Sequence, residues 1–180
     1  SCLQIRAWQE QGYEVPKLAV NLSARQFRHK ALVTDIAQIL AETGVEGDCL
    51  VLEITESMLM ESVEKAVETL HQLSALGLEI SIDDFGTGYS SLSYLKHYPV
   101  NTLKINRSFV RDITTDPNDA AIIAAIIAMA RSLKMQVIAE GVETEEQLVF
   151  LTGQGCGHYQ GYYFSEPLPA AEVENKLWKH

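Results

Sequence analysis

An α/β fold with a parallel sheet covered by helices is predicted by three observations. Short β-like runs alternate with helical stretches along the whole chain. Glycines and capping residues fall where the helices should stop and start. Several otherwise apolar strands also carry one polar residue near their C-terminal end. The 180 residues suffice for one buried core, and 47% hydrophobic with 21% charged residues is ordinary globular composition.

The elements follow in order. A helical stretch over residues 2–11 opens the chain, and 18–22 reads as a strand. A helix over 31–43 is stopped by Gly44, the strand 50–54 follows, and a helix over 63–76 is stopped by Gly77. Next come a strand at 78–82, a short helix near 91–97 and a strand at 102–105. Asp116 with Pro117 just inside starts an alanine- and isoleucine-rich helix that reaches about Lys134. A strand over 135–139 precedes a helix ending near Gly153, for which Thr144 and Gln147 form a capping box. A last β-like run at 159–164 leads to a closing helix over 169–178. Six such runs fall short of the eight of a closed (β/α) barrel. The alternatives are an open doubly wound sheet or a barrel without its first elements.

Charge and cysteines narrow the function. A net charge of −10 argues against a surface for DNA or RNA polymers, whose affinity rests on cationic neutralisation of phosphates. It leaves room for a small phosphorylated ligand held through metals. Cys2, Cys49 and Cys156 are odd in number and widely spaced, so they fit neither a disulfide framework nor a zinc site. Reduced thiols in a cytoplasmic compartment are the expectation, with membrane attachment only through other parts of a longer parent protein. The apolar stretch 120–130 is too short to span a bilayer and reads as a buried helix.

The run from Ser81 to Leu92 carries the chemistry. Its strand ends in the adjacent carboxylates Asp83 and Asp84, followed by the loop Phe85-Gly86-Thr87-Gly88-Tyr89-Ser90-Ser91. An Asp-Asp pair reads either as a solvated acidic turn or as part of a site for a hard cation such as magnesium or manganese. Asn21, Glu53, Lys104 and Glu140 occupy comparable places on four other strands. Any one of them alone reads as a core polar group satisfied by hydrogen bonds. Several carboxylates gathered around one lysine would be costly without metal. Ligands of α/β folds sit at this C-terminal rim. Gly86, Thr87 and Gly88 offer backbone amides to a phosphate or form a plain turn. Arg25 reads as a ligand contact or a solvated helix-side arginine. The five histidines lack ligand spacing.

Six ordered motifs then match a known pattern. They are Asn21-Leu22-Ser23, Glu53-Ile54-Thr55-Glu56-Ser57, Asp83 to Gly88, Leu103-Lys104-Ile105, Ala139-Glu140-Gly141-Val142-Glu143 and Gln160-Gly161-Tyr162. In order and spacing they resemble the EAL domain family, bacterial phosphodiesterases that linearise cyclic di-GMP to pGpG. The resemblance implies a modified (β/α)8 TIM-like barrel, incomplete here, with residues 1–180 as one N-terminally truncated domain. It also implies two Mg²⁺ or Mn²⁺ ions. Asn21, Glu53 and Asp83 would hold one ion; Asp83, Asp84 and Glu140 would hold the other. Lys104 would orient the nucleophilic water and Gln160 would support the metal-water network. Glu56 would hold the loop after Asp84, which in the family couples substrate binding and homodimerisation to the site. Glu143 resembles a further active-site carboxylate.

Two departures from that pattern stand out. No Glu-Ala-Leu tripeptide occurs, so about two strands and one helix of the family's domain are expected upstream. Asn106 stands where the family usually has Asp, and the lost carboxylate is expected to lower the pKa of Lys104. Two other functions remain in view: a cyclic di-GMP receptor without turnover, and a Schiff-base lyase using Lys104.

Overall fold

The computed structural model describes residues 1–60, 62–88 and 92–178; Glu61, Tyr89, Ser90, Ser91, Lys179 and His180 lie outside them. Six parallel strands form one curled half-barrel: β1 (Leu18–Asn21), β2 (Leu50–Thr55), β3 (Glu79–Phe85), β4 (Thr102–Ile105), β5 (Gln136–Glu140) and β6 (His158–Gln160). Each strand pairs with the next in sequence, in the order β1-β2-β3-β4-β5-β6. A doubly wound sheet reverses direction at a switch point. This one never reverses, which decides for the barrel-type winding.

The helices sit where the periodicity places them. They are α1 (Cys2–Glu10), α2 (Ala24–Phe27), α3 (Leu32–Thr43), α4 (Glu56–Met60), α5 (Val63–Ala75), α6 (Leu92–Leu95), α7 (Arg107–Arg111), α8 (Pro117–Ser132), α9 (Glu145–Gly153) and α10 (Ala170–Trp178). Asp116 caps α8 by accepting from the Asn118 N–H, and Thr144 and Gln147 form the expected capping box on α9. Ala66, Leu70 and Leu73 of α5 are buried, as are Ile123, Ile126, Ile127 and Ala130 of α8. That spacing gives each helix one apolar stripe. The α5 helix packs on β3 and α8 packs on β4 and β5. Beneath them Ile80, Leu103 and Ile105 are wholly buried. Full burial of each such side chain contributes about 1.5–3 kcal/mol. No described helix is long and apolar enough to cross a membrane.

Three helices were not expected: α2, α4 and α7, each starting within a few residues of a strand end. They are too short to show a period, and side-chain caps start two of them. Ser23 forms a capping box with Gln26, and Asn106 accepts from the Ser108 N–H. Of the run expected at 159–164 only Tyr159 and Gln160 join the sheet, in the strand His158–Gln160, since the chain turns at Gly161.

Cys156 is buried, its thiol within reach of the carbonyls of Val137 and His158. Burial pushes its pKa up, so little thiolate forms at neutral pH. A thiol reagent should therefore modify Cys2 and Cys49 in the folded protein and reach Cys156 only on unfolding. Mass spectrometry of the modified protein before and after denaturant checks this; rapid native labelling of Cys156 would contradict its packing.

Candidate metal centre and active site

The alternation of a strand should send Asp83 and Asp84 to opposite faces. The structure avoids this with a bulge. Ile82 pairs with Leu103 and Phe85 with Ile105, so three residue steps on β3 oppose two on β4. Asp84 takes the left-handed backbone conformation, with φ of 56°. A non-glycine residue held there stores strain that the surroundings must sustain. The result is that carboxylate oxygens of Asp83, Asp84 and Glu140 lie within 4.8 Å of one another.

Lys104 reaches into this group from β4 and is 3% exposed. Its Nζ lies 2.6 Å from Glu140, 2.8 Å from Glu53 and 3.5 Å from Asp83. Burial alone would drag the ammonium's pKa down, but the hydrogen bonds to Glu140 and Glu53 outweigh it and hold the group well above its ordinary value. Burial dominates for Glu140 and pushes its carboxyl up, against the pull of Lys104. Glu53, Asp83 and Glu140 thus share one ammonium, with the Asp84 carboxylate beside them, an excess of negative charge made wholly of hard oxygen donors. Such a donor set fits Mg²⁺ or Mn²⁺.

Other sequence-predicted residues take separate places. Asn21 pairs in register with Glu53, and Gln160 with Glu140; both are exposed strand-end residues. Asn21 and Arg25 line a cavity of about 790 Å³ with Leu22, Leu52 and Ile36. Glu56 is buried and accepts the Gly86 N–H at 3.0 Å. Its Oε1 has no hydrogen-bond partner among the described residues. A Cβ on Gly88 would lie 2.7 Å from that oxygen, so the loop backbone runs directly against Glu56. Gly86 has φ of 98°, which glycine alone adopts without strain, and the Thr87 hydroxyl donates to the Asp84 carbonyl. Glu143 is exposed, and its backbone N–H donates to the Gln147 side chain.

Asn106 does not meet Lys104 in any hydrogen bond; it donates to Asp84 instead, at 2.5 Å. Its place two residues after the lysine, just past the end of β4, was the available signal. Gln147 was legible only as a cap. Buried at the start of α9, it also donates to the Arg111 carbonyl and so ties α9 to α7.

Comparison with known proteins agrees with this geometry. Residues 1–167 match the family model described as the EAL domain. The chain is 47% identical, over 96% of its length, to the bifunctional diguanylate cyclase/cyclic di-GMP phosphodiesterase MucR of Pseudomonas aeruginosa, of which it covers 25%. It therefore spans about a quarter of the length of the curated relatives it matches. The solved PaMucR phosphodiesterase in complex with c-di-GMP superimposes with a TM-score of 0.92 at 47% identity, over 96% of this chain and 70% of that one. The manganese/cy-diGMP complex of Klebsiella pneumoniae BlrP1 does so with a TM-score of 0.80 at 31% identity, over 90% and 42%. With the sheet order, the clustered carboxylates and the family model in agreement over most of its length, the chain belongs to the EAL domain family.

Proposed function

We propose that the protein carrying this chain hydrolyses cyclic di-GMP to linear pGpG, using two Mg²⁺ or Mn²⁺ ions. The observation that carries the reading is the gathering of Asp83, Asp84 and Glu140 at the C-terminal rim of the strands, with Lys104 ion-paired to Asp83 and Glu140. Excess carboxylate repels a phosphodiester anion unless cations intervene. Asn21, Glu53 and Asp83 would hold one ion, and Asp83, Asp84 and Glu140 the other, with Gln160 in the surrounding water network. Bound there, such ions lower the pKa of water and stabilise charge in an in-line displacement.

The chain's own residues supply the rest. The Lys104 ammonium donates hydrogen bonds toward an attacking oxygen or a phosphate oxygen. Glu56 fixes the Gly86–Gly88 backbone beside the site. A Schiff-base role would need a neutral amine, whereas Glu53 and Glu140 hold Lys104 as an ammonium. It would also leave Asp84 without a task.

Release of pGpG from cyclic di-GMP by the full-length protein, dependent on Mg²⁺ or Mn²⁺ and abolished by a chelator, is the expected result. Tight binding of cyclic di-GMP with no product would instead establish a receptor and overturn the enzyme reading.

A further inference from the structure

Asn106 has a second contact besides Asp84, and the two together define its orientation. Its Oδ1 accepts the Ser108 N–H at 2.7 Å as the N-cap of α7, while its Nδ2 donates to Asp84 Oδ1 at 2.5 Å. The backbone N–H of Ser108 is a donor only, so the amide oxygen must face it and the NH₂ must face Asp84. Asp84 itself sits on the strained turn of the bulge, where its carboxylate direction is not set by regular strand geometry.

We infer that Asn106 is a positioning residue that aims the Asp84 carboxylate at Asp83 and Glu140 and, as a neutral donor, moderates the affinity of that cluster for a divalent cation. The inference rests on the metal reading of the site. An amide N–H here stabilises the Asp84 carboxylate by a hydrogen bond without adding charge, which helps the three carboxylates stay together without a cation. An acid in its place would still cap α7 but would offer Asp84 no proton to accept. The added charge would raise the demand for a cation, since charge count tunes affinity at oxygen sites.

The test is Asn106→Asp, with Asn106→Ala as the second variant, in the full-length protein. Mn²⁺ binding by calorimetry and thermal midpoints with and without Mn²⁺ are the measurements. For Asn106→Asp, Mn²⁺ affinity should tighten by about tenfold. The metal-free midpoint should fall by about 2–4 °C, and Mn²⁺ should raise it by more than in the wild type. Asn106→Ala loses cap and donor together; its midpoint should fall in both conditions and its Mn²⁺ affinity should not tighten. Equal Mn²⁺ affinity in the wild type and Asn106→Asp would overturn the inference alone. A wild type that binds no Mn²⁺ would overturn the metal reading and the inference with it.

Discussion

Methionine in place of Lys104 is expected to lower turnover by about 100- to 1,000-fold and to destabilise the metal-free protein by about 3–5 kcal/mol. The side chain keeps its length and burial but loses the charge that Glu53, Asp83 and Glu140 share. Removing one partner of a buried ionic group strands the others. Mn²⁺ should restore much of the stability, because a divalent ion replaces the missing countercharge, but not the turnover. Thermal melts with and without Mn²⁺, beside a pGpG assay, separate the two effects. Retained turnover would show that Lys104 is only a countercharge. A stability loss untouched by Mn²⁺ would show that the carboxylates do not gather a cation.

Proton linkage adds a condition. The ammonium's pKa is raised above its ordinary 10.5 by Glu140 and Glu53, which outweigh burial. A raised basic group contributes its full stability below the unfolded pKa and loses it only as pH climbs toward the folded value. The wild type should therefore show no loss of stability attributable to Lys104 between pH 6 and 9, the working range for any assay.

What the amino-acid sequence discloses differs between the frame and the site. The β4 strand was legible to the residue, and α8 nearly so, because Thr102–Ile105 alternates polar and apolar residues and Asp116-Pro117 marks a helix start unambiguously. The carboxylates were legible as a set because polar residues at strand ends stand out against apolar neighbours. Their convergence was not. Strict alternation separates Asp83 from Asp84, and only the bulge with its positive φ reunites them. The bulge depends on the pairing of β3 with β4, which no local pattern encodes. For the same reason the sequence links Asn106 to Lys104, two residues before it, whereas its bond crosses to Asp84 on β3. The winding of the sheet was also open until pairing was known, because alternating strands and helices serve both architectures.

Asparagine in place of Asp83 should move stability and function in opposite directions. Asp83 Oδ1 accepts the Asp84 N–H at 2.9 Å, a bond that the amide oxygen of asparagine can keep. The substitution removes one negative charge from a cluster in which Lys104 is the ammonium bound to Glu53, Asp83 and Glu140. The metal-free protein should therefore gain roughly 1 kcal/mol, a rise of about 2–4 °C in thermal midpoint. Since Asp83 is the residue proposed to touch both ions, Mn²⁺ affinity should fall at least about 100-fold and turnover about 1,000-fold. A site that gives up stability to hold like charges together, ready for cations, shows this opposition. A merely structural aspartate predicts the reverse: a lower midpoint with metal binding unchanged. Calorimetry with Mn²⁺, metal-free melts and the pGpG assay on one preparation decide between them. A destabilised Asp83→Asn protein that still binds Mn²⁺ like the wild type would place the metal centre elsewhere.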